Sequence, residues 1–600
     1  MADVRRTSAE WPDRTARRVA PTLAAAVEAL ANTHERGFTF VDTQGAERFY
    51  SFHALHAEAL KRSYGLRRLG LQKGERISLI VAESDDFVLT LLGAVLAGVV
   101  PVPIYPRLGF KASDGYVDSV AHITNAAGSA AIVTTEQQEP YVRDAVPRCP
   151  SVKQLIDMKM LAAAAEGEGL DGRAPSEREL PPVEVTPDDI AFLQFTSGST
   201  SLPKGVVVKH GNLAANCRAF MYEGLQANPQ AGDKGISWLP LFHDMGLIGF
   251  VFGPLFTDIP VVFLPTSSFA RSPRVWLEAA HRHRATLTYA PNFGYALAAK
   301  RLKDRDLQGL DLSCLRVAGC GAEPIQVATL RAFADKLAPT GFKPEYLLPC
   351  YGMAEGTLAI SFTKLTEAVH ADRVAPEALQ AGKATPVADG APGNDIVCCG
   401  TVFENHDVRI VDDAGNPLGE RQVGQIITRG PSVCESYYQN PEASAESFKL
   451  GWLYTGDLGY LANGELYICG RLKDVIIVRG RNFYPQDIEW CVAQIEGTRR
   501  DNVVAFGITE DGEEKLVILA ETSRMQAGAL REEIPKRVLD EIGLQPFKVE
   551  LVALGTLPKT SSGKPQRRKT KALWTSGQFV ASTHGAAPEG AAAGAQEISE

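Results

Sequence analysis

The sequence predicts a multidomain α/β protein in which two α/β units precede a smaller β-rich one. Three observations carry that expectation. The 600 residues exceed what one hydrophobic core normally supports. Strand-like and helix-like runs alternate over 76–134 and again over 236–317, the pattern of parallel α/β layers. After Gly400 the texture changes to short apolar runs punctuated by turns.

In chain order, the first unit has a strand at 77–81, a helix over 86–97, a strand at 100–104, a helix around 117–126 and a strand at 130–134. Strands at 189–195 and 206–209 flank the run Thr196-Ser-Gly-Ser-Thr-Ser-Leu-Pro-Lys-Gly205, which is therefore a strand-to-strand turn. The apolar stretches 91–105 and 248–265 are short or broken by Pro254, Asp258 and Pro260, so they are expected as buried sheet elements and not as membrane spans. The segment 361–394, rich in Ala and polar residues, has little strand pattern and reads as an insertion with one short helix around 375–381. Strand runs at 406–411 and 424–428 mark the β-rich unit, about 400–470. From Thr575 the chain becomes Ala/Gly/Ser-rich, and 576–600 is expected to be a disordered tail.

Composition excludes several classes. A formal net charge of −9 argues against a nucleic-acid protein, which needs clustered Lys and Arg to meet phosphate. The ten cysteines show no C-x-x-C spacing, so neither a zinc framework nor a disulfide framework is expected. No apolar run suited to a signal peptide follows the arginine-rich start, and a cytoplasmic location is expected.

The chemistry is carried by short motifs. The run from Thr196 through Ser197, Gly198, Ser199 and Thr200 to Lys204 combines hydroxyls, glycines and a cation, which suits a polyphosphate, although for most such runs taken alone an ordinary Ser/Thr/Gly hairpin is the better reading. It is not a P-loop, whose G-x-x-x-x-G-K-[ST] opens directly into a helix. Tyr351-Gly-Met-Ala-Glu355 follows an apolar run and so sits at a strand end, where α/β folds place ligands. Tyr351 could stack on a purine and Glu355 could ligate magnesium, or Glu355 could be a capping residue in a surface turn. Gly319-Cys-Gly-Ala-Glu-Pro324 is either a close backbone approach to a flat ligand or a plain strand-to-helix turn. Tyr454-Thr-Gly-Asp-Leu-Gly459 places Asp457 in a Gly-flanked turn, suited to both hydroxyls of a ribose, and Arg471 offers a guanidinium for phosphate or ribose. Lys564 sits on a Gly-rich loop trailed by Arg567, Arg568, Lys569 and Lys571, which otherwise form a solvated basic surface. The cluster His281-Arg-His-Arg284 is read as cations ending a helix.

As an ordered set these motifs resemble the adenylate-forming superfamily of acyl-CoA synthetases, peptide-synthetase adenylation domains and luciferases. The resemblance runs from roughly Gly37 to Trp574. It implies an N-terminal adenylation core at 1–472, made of two α/β subdomains and a β-barrel, and a small mobile α+β domain at 473–575. It implies that the 196–205 loop holds the outer phosphates of ATP, with Ser201 where many members have Gly. It further implies that Gly321, Ala322 and Glu323, with Tyr351, Gly352 and Met353, surround adenine, that Glu355 holds Mg2+, and that Asp457 and Arg471 grip the ribose. Lys564 would be the catalytic lysine, and Lys473 would occupy the hinge where many relatives have Asp.

Three features resemble one branch, the fatty acyl-AMP ligases. These are the 361–394 insertion, the His243-Asp-Met-Gly-Leu247 pattern, and Arg479-Gly-Arg-Asn-Phe-Tyr-Pro-Gln-Asp-Ile-Glu489 after the hinge. This branch implies activation of a fatty acid by ATP to acyl-adenylate, with His243 among the catalytic residues, then transfer to the phosphopantetheine thiol of a holo acyl carrier protein or of a carrier domain of a polyketide or peptide synthase. Tyr289-Ala-Pro-Asn-Phe293 lines an acyl tunnel or packs the core, and Cys320 and Cys350 are structural, because no covalent enzyme nucleophile is needed. The rivals are a long-chain acyl-CoA ligase and a noncatalytic nucleotide- or acyl-binding protein.

Overall fold

The computed structural model describes residues 19–107, 114–166, 181–196, 203–388, 390–510, 513–522, 527–559 and 565–577. The chain divides into two compact units, Met1–Leu472 and Lys473–Glu600.

In the first unit, Val100–Pro103, Arg76–Ile80, Ala131–Thr134 and Gln154–Asp157 form a four-stranded parallel sheet in that order. Its central strands are buried at nearly every position, which is why they read as near-continuous apolar runs. A nine-stranded sheet has a parallel centre of Leu347–Gly352, Val317–Cys320, Leu287–Ala290, Gly235–Ser237, Val261–Phe263 and Gly37–Val41. Antiparallel strands close its two edges. The hairpin Ile190–Thr196/Lys204–Lys209 pairs through Thr196↔Lys204. Asp407–Val411, Gly424–Arg429, Trp452–Ala462 and Glu465–Arg471 build a separate antiparallel sheet, joined by the short strand Phe448–Lys449.

Several expectations need correction. The stretch 248–265 is mostly helical, through Ile248–Phe252 and Gly253–Thr257, and only Val261–Phe263 is a strand. A short apolar run looks the same in a buried helix and a buried strand. The 361–394 insertion does contain a strand, Ala371–Val374, which pairs with Asn394–Val397; the polar Asp372 and Arg373 at its centre hid the pattern. The short helix lies at Pro376–Gln380. Asp457 is not in a turn. It lies within the strand Trp452–Ala462, where Gly456 at φ +73° and a pairing shift between Leu458 and Gly459 make a bulge.

The second unit carries a three-stranded sheet of Thr498–Glu510, Glu513–Thr522 and Lys548–Val552 with the helices Pro485–Ala493 and Ala527–Ile542. Its buried ionic network places Arg567 2.6 Å from Asp474 and 2.8 Å from Glu489. Burial, with the Glu489 charge nearby, pushes the Asp487 carboxyl up to about 7. Among the described residues, no helix is long and apolar enough to cross a membrane.

Candidate active site

Glu355 lies in the turn that leaves the strand Leu347–Gly352, and it is buried, not the surface cap its sequence also allowed. The turn is held from both sides. Glu355 O accepts the Cys434 N–H at 2.9 Å, and the Thr357 hydroxyl donates to Ser432 O at 2.6 Å. Thr357 adopts φ +70°, a costly conformation for a β-branched residue that these contacts enforce. The Tyr437 hydroxyl donates to Glu355 Oε1 at 2.7 Å. Burial raises the Glu355 pKa, and the Tyr437 bond and Arg471 oppose that rise while Asp244 adds to it.

Tyr437 also faces the phosphate-loop hairpin. Lys204 Nζ sits 5.2 Å from its ring centroid, Val206 bridges to it, and the Tyr438 N–H donates to Gly205 O at 2.7 Å. Thr196 and Lys204 are thus placed at the base of this hairpin. Ser197, Gly198, Ser199 and Thr200 lie outside the described residues, as does Lys564. The sequence reading missed Tyr437; its only local signal is a tyrosine pair, Tyr437 and Tyr438, ahead of the helix capped by Asn440.

Tyr351, Asp457 and Arg471 meet in one cluster. The Tyr351 hydroxyl donates to Asp457 Oδ2 at 2.7 Å, and Arg471 Nε lies 3.3 Å from Asp457 Oδ1. The strand register, which places Asp457 opposite Arg471, explains the pair. Asp457 is buried while Arg471 remains half exposed.

In the Gly319–Pro324 segment, which leads from the strand Val317–Cys320 toward the helix Val327–Leu337, the glycines also serve the packing behind them. A Cβ at Gly319 would lie 1.9 Å from the Tyr289 ring and one at Gly321 2.7 Å from Cys350 Sγ, so both glycines permit close internal packing. Ala322 holds φ +70°, and the Glu323 carboxylate accepts the Phe293 N–H at 2.6 Å, capping the helix Asn292–Arg301. Gly352 ends its strand where a Cβ would collide with Leu358 O, and Met353 packs against the buried cluster around Tyr351. His243 Nδ1 pairs with Asp244 Oδ1 at 2.9 Å, and the same oxygen accepts the Met245 N–H.

A cavity opens beside Ala322, Tyr351 and Gly352. Asp244, Ala322, Tyr351 and Gly352 belong to its wall, which continues along Phe220, Met221, Leu225, Pro254, Ile259 and Leu287. Tyr289 is also in the wall, whereas Phe293 packs edge-on to Trp238 with ring centroids 6.0 Å apart. Apart from Asp244, the side chains of this lining are apolar or aromatic. The cations of 281–284 are engaged elsewhere: Arg282 and His283 contact Glu47, and Arg284 pairs with Asp311.

Residues 27–438 match the family model of AMP-binding enzymes. The chain belongs to the AMP-binding enzyme family. Residues 473–584 of this AMP-binding enzyme match a second model, the AMP domain of Disco-interacting protein 2-like proteins. Among its relatives, a Caulobacter vibrioides protein with a provisional assignment as an acyl-CoA synthetase is 35% identical over 93% of this chain and 96% of its own length. The long-chain-fatty-acid–AMP ligase FadD26 of Mycobacterium marinum is 34% identical over 89% of this chain and 93% of its own. The medium-chain-fatty-acid–[acyl-carrier-protein] ligase TtuA of Teredinibacter turnerae is 32% identical over 83% and 84%. A solved structure from a study of fatty acyl-adenylate ligases of E. coli and L. pneumophila superposes with a TM-score of 0.85 at 36% identity, covering 93% of this chain and 98% of that one.

Proposed function

We propose that this AMP-binding enzyme activates a fatty acid with ATP to an acyl-adenylate, releases pyrophosphate, and passes the acyl group to the phosphopantetheine thiol of an acyl carrier protein. The observation that carries the reading is the apolar cavity that begins beside Ala322, Tyr351 and Gly352 and continues to Leu225 and Ile259, a lining suited to an alkyl chain. Its likeness to FadD26, TtuA and the fatty acyl-adenylate ligase structure supports the same substrate class.

In this reading the fatty carboxylate attacks the α-phosphorus of ATP in line. Both reactants are anionic, so positioning and charge neutralisation supply most of the rate. Tyr351, Gly321, Ala322, Glu323, Gly352 and Met353 surround the adenine, and Asp457 with Arg471 holds the ribose. The segment from Thr196 to Lys204 holds the departing phosphates. His243, whose Nδ1 pairs with Asp244 of the cavity wall, would donate a hydrogen bond to the reacting carboxylate, and Lys564 would stabilise the charge that develops. Glu355 fits a hard dication: it offers carboxylate oxygen, and its burial raises its pKa despite the Tyr437 hydroxyl, a backbone N–H and Arg471, so a cation there would favour the charged form. Mg2+ held there would neutralise phosphate charge.

Fatty-acid-dependent release of pyrophosphate tests the reading. Release that rises with fatty acid supports it; ATP binding without release at any chain length favours the noncatalytic binder.

A further inference from the structure

We propose that His370, Cys398 and Glu465 form a binding site for a transition-metal dication, Zn2+ in the first instance, that clasps the paired strands Ala371–Val374 and Asn394–Val397 to the strand Glu465–Arg471. The three ligand atoms lie within 4.8 Å of one another, and His370 Nε2 is 3.1 Å from Glu465 Oε2. Tetrahedral zinc holds S, N and O ligands at about 2.0–2.3 Å, so one ion reaches all three after a small contraction.

The backbone brings the three positions together without needing an ion. The Cys398 N–H donates to His370 O at 3.1 Å, Cys398 bridges to Tyr467, and the Cys399 N–H donates to Leu466 O at 2.8 Å. The turn after Cys398 aims an amide at the sulfur: the Gly400 N–H donates to Cys398 Sγ at 3.2 Å. Gly400 stands at φ +79°, where a Cβ would lie 1.8 Å from Phe362 O, so this turn requires glycine. An N–H bond to sulfur favours thiolate over thiol. Burial, with the neighbouring Glu465 carboxylate, works the other way and pushes the Cys398 thiol up to about 12. Binding therefore forms the metal–sulfur bond as the thiol proton leaves to solvent.

The donor set selects the ion. Thiolate, imidazole and carboxylate together suit zinc-like metals and not Mg2+ or Ca2+, which take oxygen. Three protein ligands leave a fourth position for water, and the half-exposed His370 gives the ion a route from solvent. The site uses none of the residues assigned above to adenylation. The competing account is a plain His370–Glu465 ion pair beside a buried structural thiol.

Titrating the chelator-treated full chain with Co2+ decides between them. The expected result is one equivalent bound with a thiolate-to-cobalt charge-transfer absorption. That absorption should vanish in Cys398→Ser, and His370→Gln should weaken Co2+ and Zn2+ binding by at least ~10-fold, the lower bound for losing even an outer-shell partner. Thermal unfolding without metal establishes that each variant is folded, and if Cys398→Ser is not, His370→Gln decides alone. Absence of the thiolate absorption in the wild-type chain, or less than that loss of affinity in folded His370→Gln, overturns the site. None of these readouts depends on adenylation.

Discussion

Replacing Tyr437 by phenylalanine removes the hydroxyl, with its bonds to Glu355 and Ser447, and keeps the ring. The ring keeps its contact with Phe448, centroids 5.5 Å apart, and its face toward Lys204. What is lost is the hydroxyl that donates to Glu355 Oε1 at 2.7 Å. A hydrogen bond to a charged group contributes about 1.5–3 kcal/mol, so the balance between ionised and protonated Glu355 shifts by roughly 10–100-fold toward the protonated form. Burial already raises the Glu355 pKa, so the sign is fixed: the ionised carboxylate that would hold Mg2+ is lost as pH falls, and the variant loses it at higher pH than wild type. Pyrophosphate release measured across pH and Mg2+ concentration should show the acid limb displaced upward and a higher Mg2+ requirement, with partial rescue at alkaline pH. In a Glu355→Gln background the same substitution should have little further effect. A loss of activity that is uniform in pH, with an unchanged Mg2+ requirement, would refute the coupling and leave Tyr437 a packing residue.

Other consequences are equally direct. Gly249 lines the cavity, and a Cβ there would meet only Leu358 at 3.7 Å, so Gly249→Leu should fold and should lower kcat/KM for long fatty acids more than for short ones; equal losses across chain lengths would remove this cavity as the acyl site. Lys564→Ala should cut pyrophosphate formation by on the order of 10²–10³ while ATP binding largely survives, as single-turnover and equilibrium binding assays would report. Asp457→Asn should raise KM for ATP, because it weakens both the Tyr351 and Arg471 contacts; an unchanged KM would place the ribose elsewhere. Asp487 binds its proton more tightly in the folded unit, with a pKa near 7 against the usual 3.8, so stability conferred by this group is present at low pH and lost as pH rises through 7. The full displacement corresponds to roughly 4 kcal/mol, reduced by the solvent contact the carboxyl keeps. Asp487→Asn should therefore raise the Tm of the chain's C-terminal unit at pH 8 and flatten its pH dependence, which calorimetry would check.

Sequence pattern carried the parallel sheets because strands buried on both faces read as near-continuous apolar runs, broken only by the buried Ser78 at Ile77–Ile80 and unbroken at Ala131–Val133. It carried the motif loops because glycines, hydroxyls and charges cluster there locally. Contacts made across long sequence separations were not legible. Tyr437 reaches Glu355 over 82 residues, and His370 reaches Glu465 over 95. No local periodicity announces either meeting. Asp457 was misplaced in a turn because Gly456 and Gly459 signal a break, whereas the strand absorbs them as a bulge. The Gly319 and Gly321 backbones looked shaped for a ligand, yet each also serves Tyr289 and Cys350 behind them, a use that only packing reveals.

The central claim is tested most directly by supplying the enzyme with ATP, a fatty acid mixture, free coenzyme A and a holo acyl carrier protein, and identifying the acyl products by mass spectrometry. Acyl-adenylate and acyl-carrier thioester should form, with little acyl-CoA. Acyl-CoA as the main thioester, or no adenylate from any chain length, would contradict it.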